Sequence, residues 1–159
     1  MREPRFETRE AFTVLGVEDD AIKMDTVDPG FHDLWMRRFM PHHGEVSVFS
    51  TDGAYYAVWF GMVGDLVLVG THLAGMAVRP EAVAPEGWVI RQVPAARYAV
   101  FDTTLRDVGD GPEYALHRWL PGSGYALDGD KPRFDLMPPD TSGPESPVTV
   151  WIPVVRRAT

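Results

Sequence analysis

The chain has 159 residues, 45% of them hydrophobic, with 15 basic against 23 acidic side chains, a net charge of −8 and no cysteine. A chain of this length can bury roughly 70% of the surface its unfolded form would expose, so one domain needs no covalent staple. Disulfides, thiolate metal centres and a cysteine nucleophile are excluded, and with lysine only at Lys23 and Lys131 so is a nucleic-acid surface, which needs clustered basic side chains to displace phosphate counterions.

The N-terminal run Met1-Arg2-Glu3-Pro4-Arg5 is charged and lacks the apolar core of a signal peptide. From Phe6 to Val17, Ala11, Thr13, Leu15 and Val17 alternate with Phe12, Val14 and Gly16, which predicts a strand. Asp28 is a good N-cap and Pro29 a good first helical residue, after which Phe31, Leu34, Trp35 and Phe39 recur at helical spacing as one apolar stripe. Tyr55 to Met62 and Leu66 to Val78 read as two strands joined by a tight turn at Val63-Gly64-Asp65. Within the second of these, Leu66-Val67-Leu68-Val69 is broken by Gly70 and His72, far short of the ~18 apolar residues of a membrane span. No membrane association and a cytoplasmic location are the expectation.

Residues 79–87 form a Pro-punctuated connector, after which the order repeats. Trp88 to Thr103 is predicted as a strand, Pro112 to Leu120 as a helix, Arg133 to Met137 as a strand and Val148 to Val155 as the last strand, with a polar, Pro-rich loop over 138–147 before it. The repeat is visible in the letters: Arg38-Phe39-Met40-Pro41 and Gly44 return 80 positions later as Arg118-Trp119-Leu120-Pro121 and Gly124. Both copies read as the last turn of a helix and its stop, because Pro cannot continue the ladder and Gly permits a left-handed exit.

A helix on three strands has too small a core to fold alone, so the half-repeats, about 5–78 and 88–155, are expected to combine into one domain over 1–159. The fold class is α+β: a duplicated β-α-β-β unit about a pseudo-twofold, an antiparallel sheet with two helices on one face and a ligand cleft on the other. On the last strand, Val148, Val150 and Ile152 alternate with Thr149 and Trp151; the aliphatic set is predicted to meet the helices and the other set to face the cleft. Trp59, whose face also carries the small Ala57 and Gly61, is the candidate for an opposing aromatic wall, and Asp135 alternates to the same side between Phe134 and Leu136. Met76 and Met137 are either core filler or adaptable ligand contacts. Trp35 and Trp119 belong to the helical stripes and are read as core.

His42-His43 has no accompanying helical His-x-x-x-His or carboxylate motif, so no metal and no cofactor are expected. The sequence contains no Gly-x-Ser-x-Gly, no phosphate-binding loop and no dinucleotide fingerprint, and no catalytic residue is assigned from motif.

The segments Val93-Pro94-Ala95-Ala96-Arg97-Tyr98-Ala99-Val100-Phe101, Leu73-Ala74-Gly75-Met76-Ala77-Val78, Trp119-Leu120-Pro121-Gly122-Ser123-Gly124-Tyr125 and Val150-Trp151-Ile152-Pro153-Val154 resemble, in order, the gyrase-inhibitor-like (GyrI-like) effector-binding domains. The resemblance implies the ligand-binding part of AraC-type and MerR-type multidrug regulators, here standing alone without a DNA-reading segment, and a cleft for bulky, aromatic, often cationic molecules. It also places Thr149 where relatives carry a cation-binding Glu, and Ala77 where many carry another. Thr149 and Ala77 therefore join Trp59, Asp135, Met137 and Trp151 as candidate ligand contacts.

The expectation is a binding domain that senses or sequesters a hydrophobic aromatic small molecule, cationic or neutral, and is not an enzyme. Two alternatives stand beside it. Some standalone relatives hydrolyse reactive, strained-ring compounds, which would make Asp135 catalytic. A protein partner such as a DNA topoisomerase would use the acidic surface as a nucleic-acid mimic.

Overall fold

The computed structural model describes residues 3–19, 30–61, 71–129 and 131–158. The expected cap at Asp28-Pro29 and the turn at Val63-Gly64-Asp65 lie outside these residues. Among them are nine strands: β1 (Arg5–Arg9), β2 (Phe12–Asp19), β3 (Tyr55–Phe60), β4 (Thr71–Ala77), β5 (Val89–Val93), β6 (Ala96–Thr104), β7 (Tyr125–Leu127), β8 (Arg133–Met137) and β9 (Pro147–Arg156). Two helical segments accompany them, α1 over residues 33–47 and α2 over residues 108–122. No helix among the described residues is long and apolar enough to cross a membrane.

The sheet is antiparallel in the order β1-β6-β9-β8-β3-β4-β2-β5, with β7 pairing the end of β9. Read outward from the β3–β8 pair, the order is the same on both sides: β4, β2 and β5 of one arm answer β9, β6 and β1 of the other. The fold is the expected α+β duplication, and β3–β8 is its seam.

The outer strands refine the prediction. Phe6 to Val17 and Trp88 to Thr103 were each expected to be one strand, but each is two, broken at Glu10-Ala11 and at Pro94-Ala95. In both halves the chain leaves one arm of the sheet and joins the other. Arg9 pairs with Ala96 on β6, and in the same register Val93 pairs with Phe12 on β2. Pro94 has no N–H to give a ladder, so the break falls where pairing would be incomplete.

The helices repeat at the level of single hydrogen bonds. The Met40 N–H donates to the Trp35 carbonyl and the Leu120 N–H to the Ala115 carbonyl, both wide five-residue turns just ahead of Pro41 and Pro121. Each proline removes an N–H and crowds the carbonyl one turn back, and the helix widens to accommodate it. The proline was expected to end the helix. In α1 it does not: the chain passes through a tight turn at Met40–His42 and winds on over His43–Ser47. Gly44 is helical, and only Gly124, with φ of 80°, makes the left-handed exit.

Strand alternation divides the apolar residues between two cores. Leu15, Val17, Trp59, Ala74, Met76, Phe101, Val150 and Ile152 pack under Leu34 and Phe39 of α1 and Ala115 and Leu116 of α2. Both helices therefore cover one face, as expected. Each of the larger aliphatic and Phe side chains contributes roughly 1.5–3 kcal/mol when fully buried. The other face carries Val14, Tyr56, Val58, Leu73, Ala77, Tyr98, Val100, Phe134 and Trp151, with Phe12 against them.

Candidate ligand-binding site

The face away from the helices, where the cleft was expected, is filled by the protein itself. Trp151 stacks on Phe134 at 5.2 Å between centroids, and Tyr98 meets both edge-on. The guanidinium of Arg9 covers this cluster, 3.8 Å from the Phe12 centroid and 5.2 to 5.7 Å from those of Tyr56, Phe134 and Trp151, and it donates to the Tyr56 hydroxyl at 2.8 Å. Tyr56 in turn donates to Asp52 at 2.6 Å. Trp151 donates its indole N–H to the Thr149 hydroxyl at 2.8 Å, so these two satisfy each other, and Ala77 is a small core residue. Aromatic side chains from β3, β6, β8 and β9 converge there and pack on one another among the described residues; alternation reveals which residues share a face, but not whether their volumes fill it.

The cavity lies on the other side, between the helices and the seam, with a volume of about 580 Å³. Its floor is built from residues directly opposite each other across the β3–β8 ladder: Tyr55 with Met137, Ala57 with Asp135, Trp59 with Arg133. Because side chains alternate, all six project to the helix-covered face. His72 on β4 pairs with Trp59 and extends the floor. Phe31, Trp35, Met36 and Met40 wall one side from α1 and the residue pair before it, and Leu105, Val108 and Pro112 the other from the entry to α2. Space exists because Ala57 is small and because α1 and the start of α2 stand on either side of the seam. The size is that of a drug-like ligand site.

The walls are aromatic and adaptable. Phe31 meets Trp59 edge-on at 5.7 Å, and Trp35 meets Tyr55 edge-on at 6.3 Å. Met36 and Met40 are exposed at the mouth and can repack around different shapes.

The polar groups are few and deeply placed. Arg133 is 1% exposed and Asp135 9%; the arginine Nη1 donates to Asp135 Oδ1 at 3.2 Å, and its guanidinium carbon lies 5.2 Å from the Trp59 centroid. Burial pushes the Asp135 carboxyl up to about 6, against the pull of the Arg133 charge. Burial also lowers Arg133, with Asp135 opposing. His72, wedged 4.5 Å from Trp59 and 4.8 Å from Phe31, is held down to about 3, first by burial and then by Arg133, and so is neutral. Neither His72 nitrogen, nor Arg133 Nε, nor the Thr141 hydroxyl has a hydrogen-bond partner among the described residues. Those residues contain no cluster of metal-ligating side chains.

Of the candidates read from sequence, the structure brings Trp59, Asp135 and Met137 to this cavity and places Ala77, Thr149 and Trp151 on the opposite face. Ala77 and Trp151 are corrected from cleft to core and Thr149 to a partly buried place beside Trp151, and Trp59 and Trp151 do not face each other. Asp135 lies on the helix-covered side, not away from it. Sequence reasoning missed Arg133 and His72 and read Trp35 as core. The signal for Arg133 was available: two positions from Asp135 on a strand, it must share its face.

The doubled antiparallel sheet, with two helices on one face and an aromatic cavity at its seam, agrees with the effector-binding fold expected from the sequence. Residues 5–154 match the family model described as Cass2, integron-associated effector binding protein, and the chain belongs to that family. Solved structures agree on the fold. SAV2435 bound to tetraphenylphosphonium is similar with a TM-score of 0.76 at 14% identity, covering 97% of this chain and 94% of that one. The integron cassette protein VCH_CASS2 from the mobile metagenome of Vibrio cholerae gives 0.68 at 14% identity, with 97% of each chain covered. The EcmrR C-terminal domain gives 0.65 at 11% identity, with 98% of each covered. No curated protein matches the sequence.

Proposed function

We propose that the cavity over the β3–β8 seam binds a hydrophobic aromatic small molecule, which this domain senses or sequesters in the cytoplasm without transforming it. The observation that carries the reading is the lining: four aromatic rings and three methionines surround a volume of about 580 Å³ whose floor holds a single reachable carboxylate. Trp35, Phe31 and Tyr55 supply stacking faces over a floor that Trp59 holds in shape, Met36, Met40 and Met137 conform to the ligand, and Asp135 offers the polar contact. That SAV2435 takes tetraphenylphosphonium supports a role for bulky aromatic groups in this fold.

Thermal-shift and tryptophan-fluorescence titrations against a panel of aromatic compounds test it. Binding raises the melting temperature by mass action, and Trp59→Ala weakens every hit by tenfold or more. A panel without hits, or hits untouched by Trp59→Ala, overturns the assignment.

The raised carboxyl of Asp135 favours a second reading, a general base for opening strained rings. Turnover of an epoxide probe that is abolished in Asp135→Asn would establish it; no turnover leaves the binding role.

A further inference from the structure

We propose that the cavity selects uncharged aromatic molecules, because the chain's own Arg133 occupies the seat a cationic ligand would take; this rests on the cavity being the ligand site. A cation held in an apolar cleft needs an aromatic face to lie against and a carboxylate to balance it. The floor has both, and both are used. The Arg133 guanidinium lies over Trp59 at 5.2 Å and donates to Asp135 at 3.2 Å.

Arg133 is no surface side chain that could swing away. It is 1% exposed, sits at the foot of the seam opposite Trp59 and is itself part of the cavity floor. Charge on the floor sums to zero, with His72 neutral beside it. An incoming cation that touched the remaining Asp135 oxygen would stand within a few ångströms of the guanidinium. Attraction and repulsion over such similar distances offset each other, and the cost of stripping water from the cation is left uncompensated. An uncharged ring meets no such cost, and a phenol, aniline or amide N–H can still donate to that oxygen, which has no partner among the described residues.

The aromatic cage on the opposite face is closed in the same way. Arg9 lies against Phe12, Tyr56, Phe134 and Trp151, so there too the cation is internal.

The test uses an isosteric pair differing in charge alone, methyltriphenylsilane and methyltriphenylphosphonium, titrated into the wild-type chain and into Arg133→Met. The silane is expected to bind the wild type at least tenfold more tightly than the phosphonium. In Arg133→Met, which frees both Trp59 and Asp135, phosphonium affinity should rise at least tenfold at pH 8. Wild-type preference for the phosphonium, or a folded Arg133→Met whose phosphonium affinity is unchanged, overturns the proposal while leaving the ligand site intact. Failure of both probes to bind the wild type removes the site and the proposal together. Where circular dichroism shows that the Met variant does not fold, Arg133→Gln takes its place, and the wild-type ratio decides independently.

Discussion

Trp59 and Arg133 are register partners across the seam, and the guanidinium carbon lies 5.2 Å from the indole centroid while Nη1 reaches Asp135 at 3.2 Å. This three-residue cluster ties the two halves together under the cavity. Removing either charged member leaves the other buried without its partner, so Arg133→Met or Asp135→Leu alone should cost about 3–5 kcal/mol. The double variant should recover most of that loss, because apolar side chains of similar size remove the desolvation penalty with the pair. Urea denaturation of the two singles and the double measures the coupling; additive losses would show that the charges do not act as a unit.

Two groups on the cavity floor make stability depend on pH in opposite senses. Asp135 carries a folded pKa of about 6, above its ordinary 3.8, so the fold favours its protonated form and gains stability as pH falls from 6 towards 4. His72 has a folded value of about 3, below its ordinary 6.5, so the fold favours its neutral form and loses stability as pH falls from 6.5 towards 3. Between pH 4 and 6 one slope offsets the other. His72→Phe should therefore turn a nearly flat profile into one that rises on acidification, by about 2–3 kcal/mol at about 1.4 kcal/mol per pKa unit. Asp135→Asn should give the reverse slope. Melting temperatures across pH 4 to 7 for both variants check the signs.

The repeated Pro and Gly motif makes a prediction of two signs. Gly44 is helical with open space around the position of a Cβ, so Gly44→Ala should stabilise by about 0.5–1 kcal/mol. Gly124 sits at φ of 80°, where a side chain is strained, and Gly124→Ala should destabilise by about 1 kcal/mol. Denaturant midpoints of the two variants distinguish these positions although the sequence offers them as equivalents.

Much of this architecture was legible because it depends on local pattern. The 80-position repeat showed the duplication, and strand alternation placed Trp59, Ala57 and Asp135 on one face. What alternation could not reveal was which face stays hollow. That depends on how many large rings converge from strands distant in sequence, and Tyr56, Tyr98, Phe134 and Trp151 meet only because β3, β8, β9 and β6 are successive in the sheet. The exchange of β1 and β5 between arms was hidden for the same reason, since a two-residue break at Glu10-Ala11 carries little signal where strand-like alternation lies on both sides of it.

Trp59 and Trp151 now make the sharpest contrast, since one lines the cavity and the other fills the opposite core. Trp151→Ala removes a ring stacked on Phe134 and should cost about 3–5 kcal/mol of stability. Because the sheet separates it from the cavity, ligand affinity of the folded protein should stay within about threefold. Trp59→Ala takes away both a core contact and a ligand wall, so stability and affinity should fall together, the latter by tenfold or more. Titrating the tightest aromatic compound into each variant, at a temperature where circular dichroism shows both folded, separates the two faces. A Trp151→Ala variant that loses binding as Trp59→Ala does would place the ligand on the wrong side of the sheet.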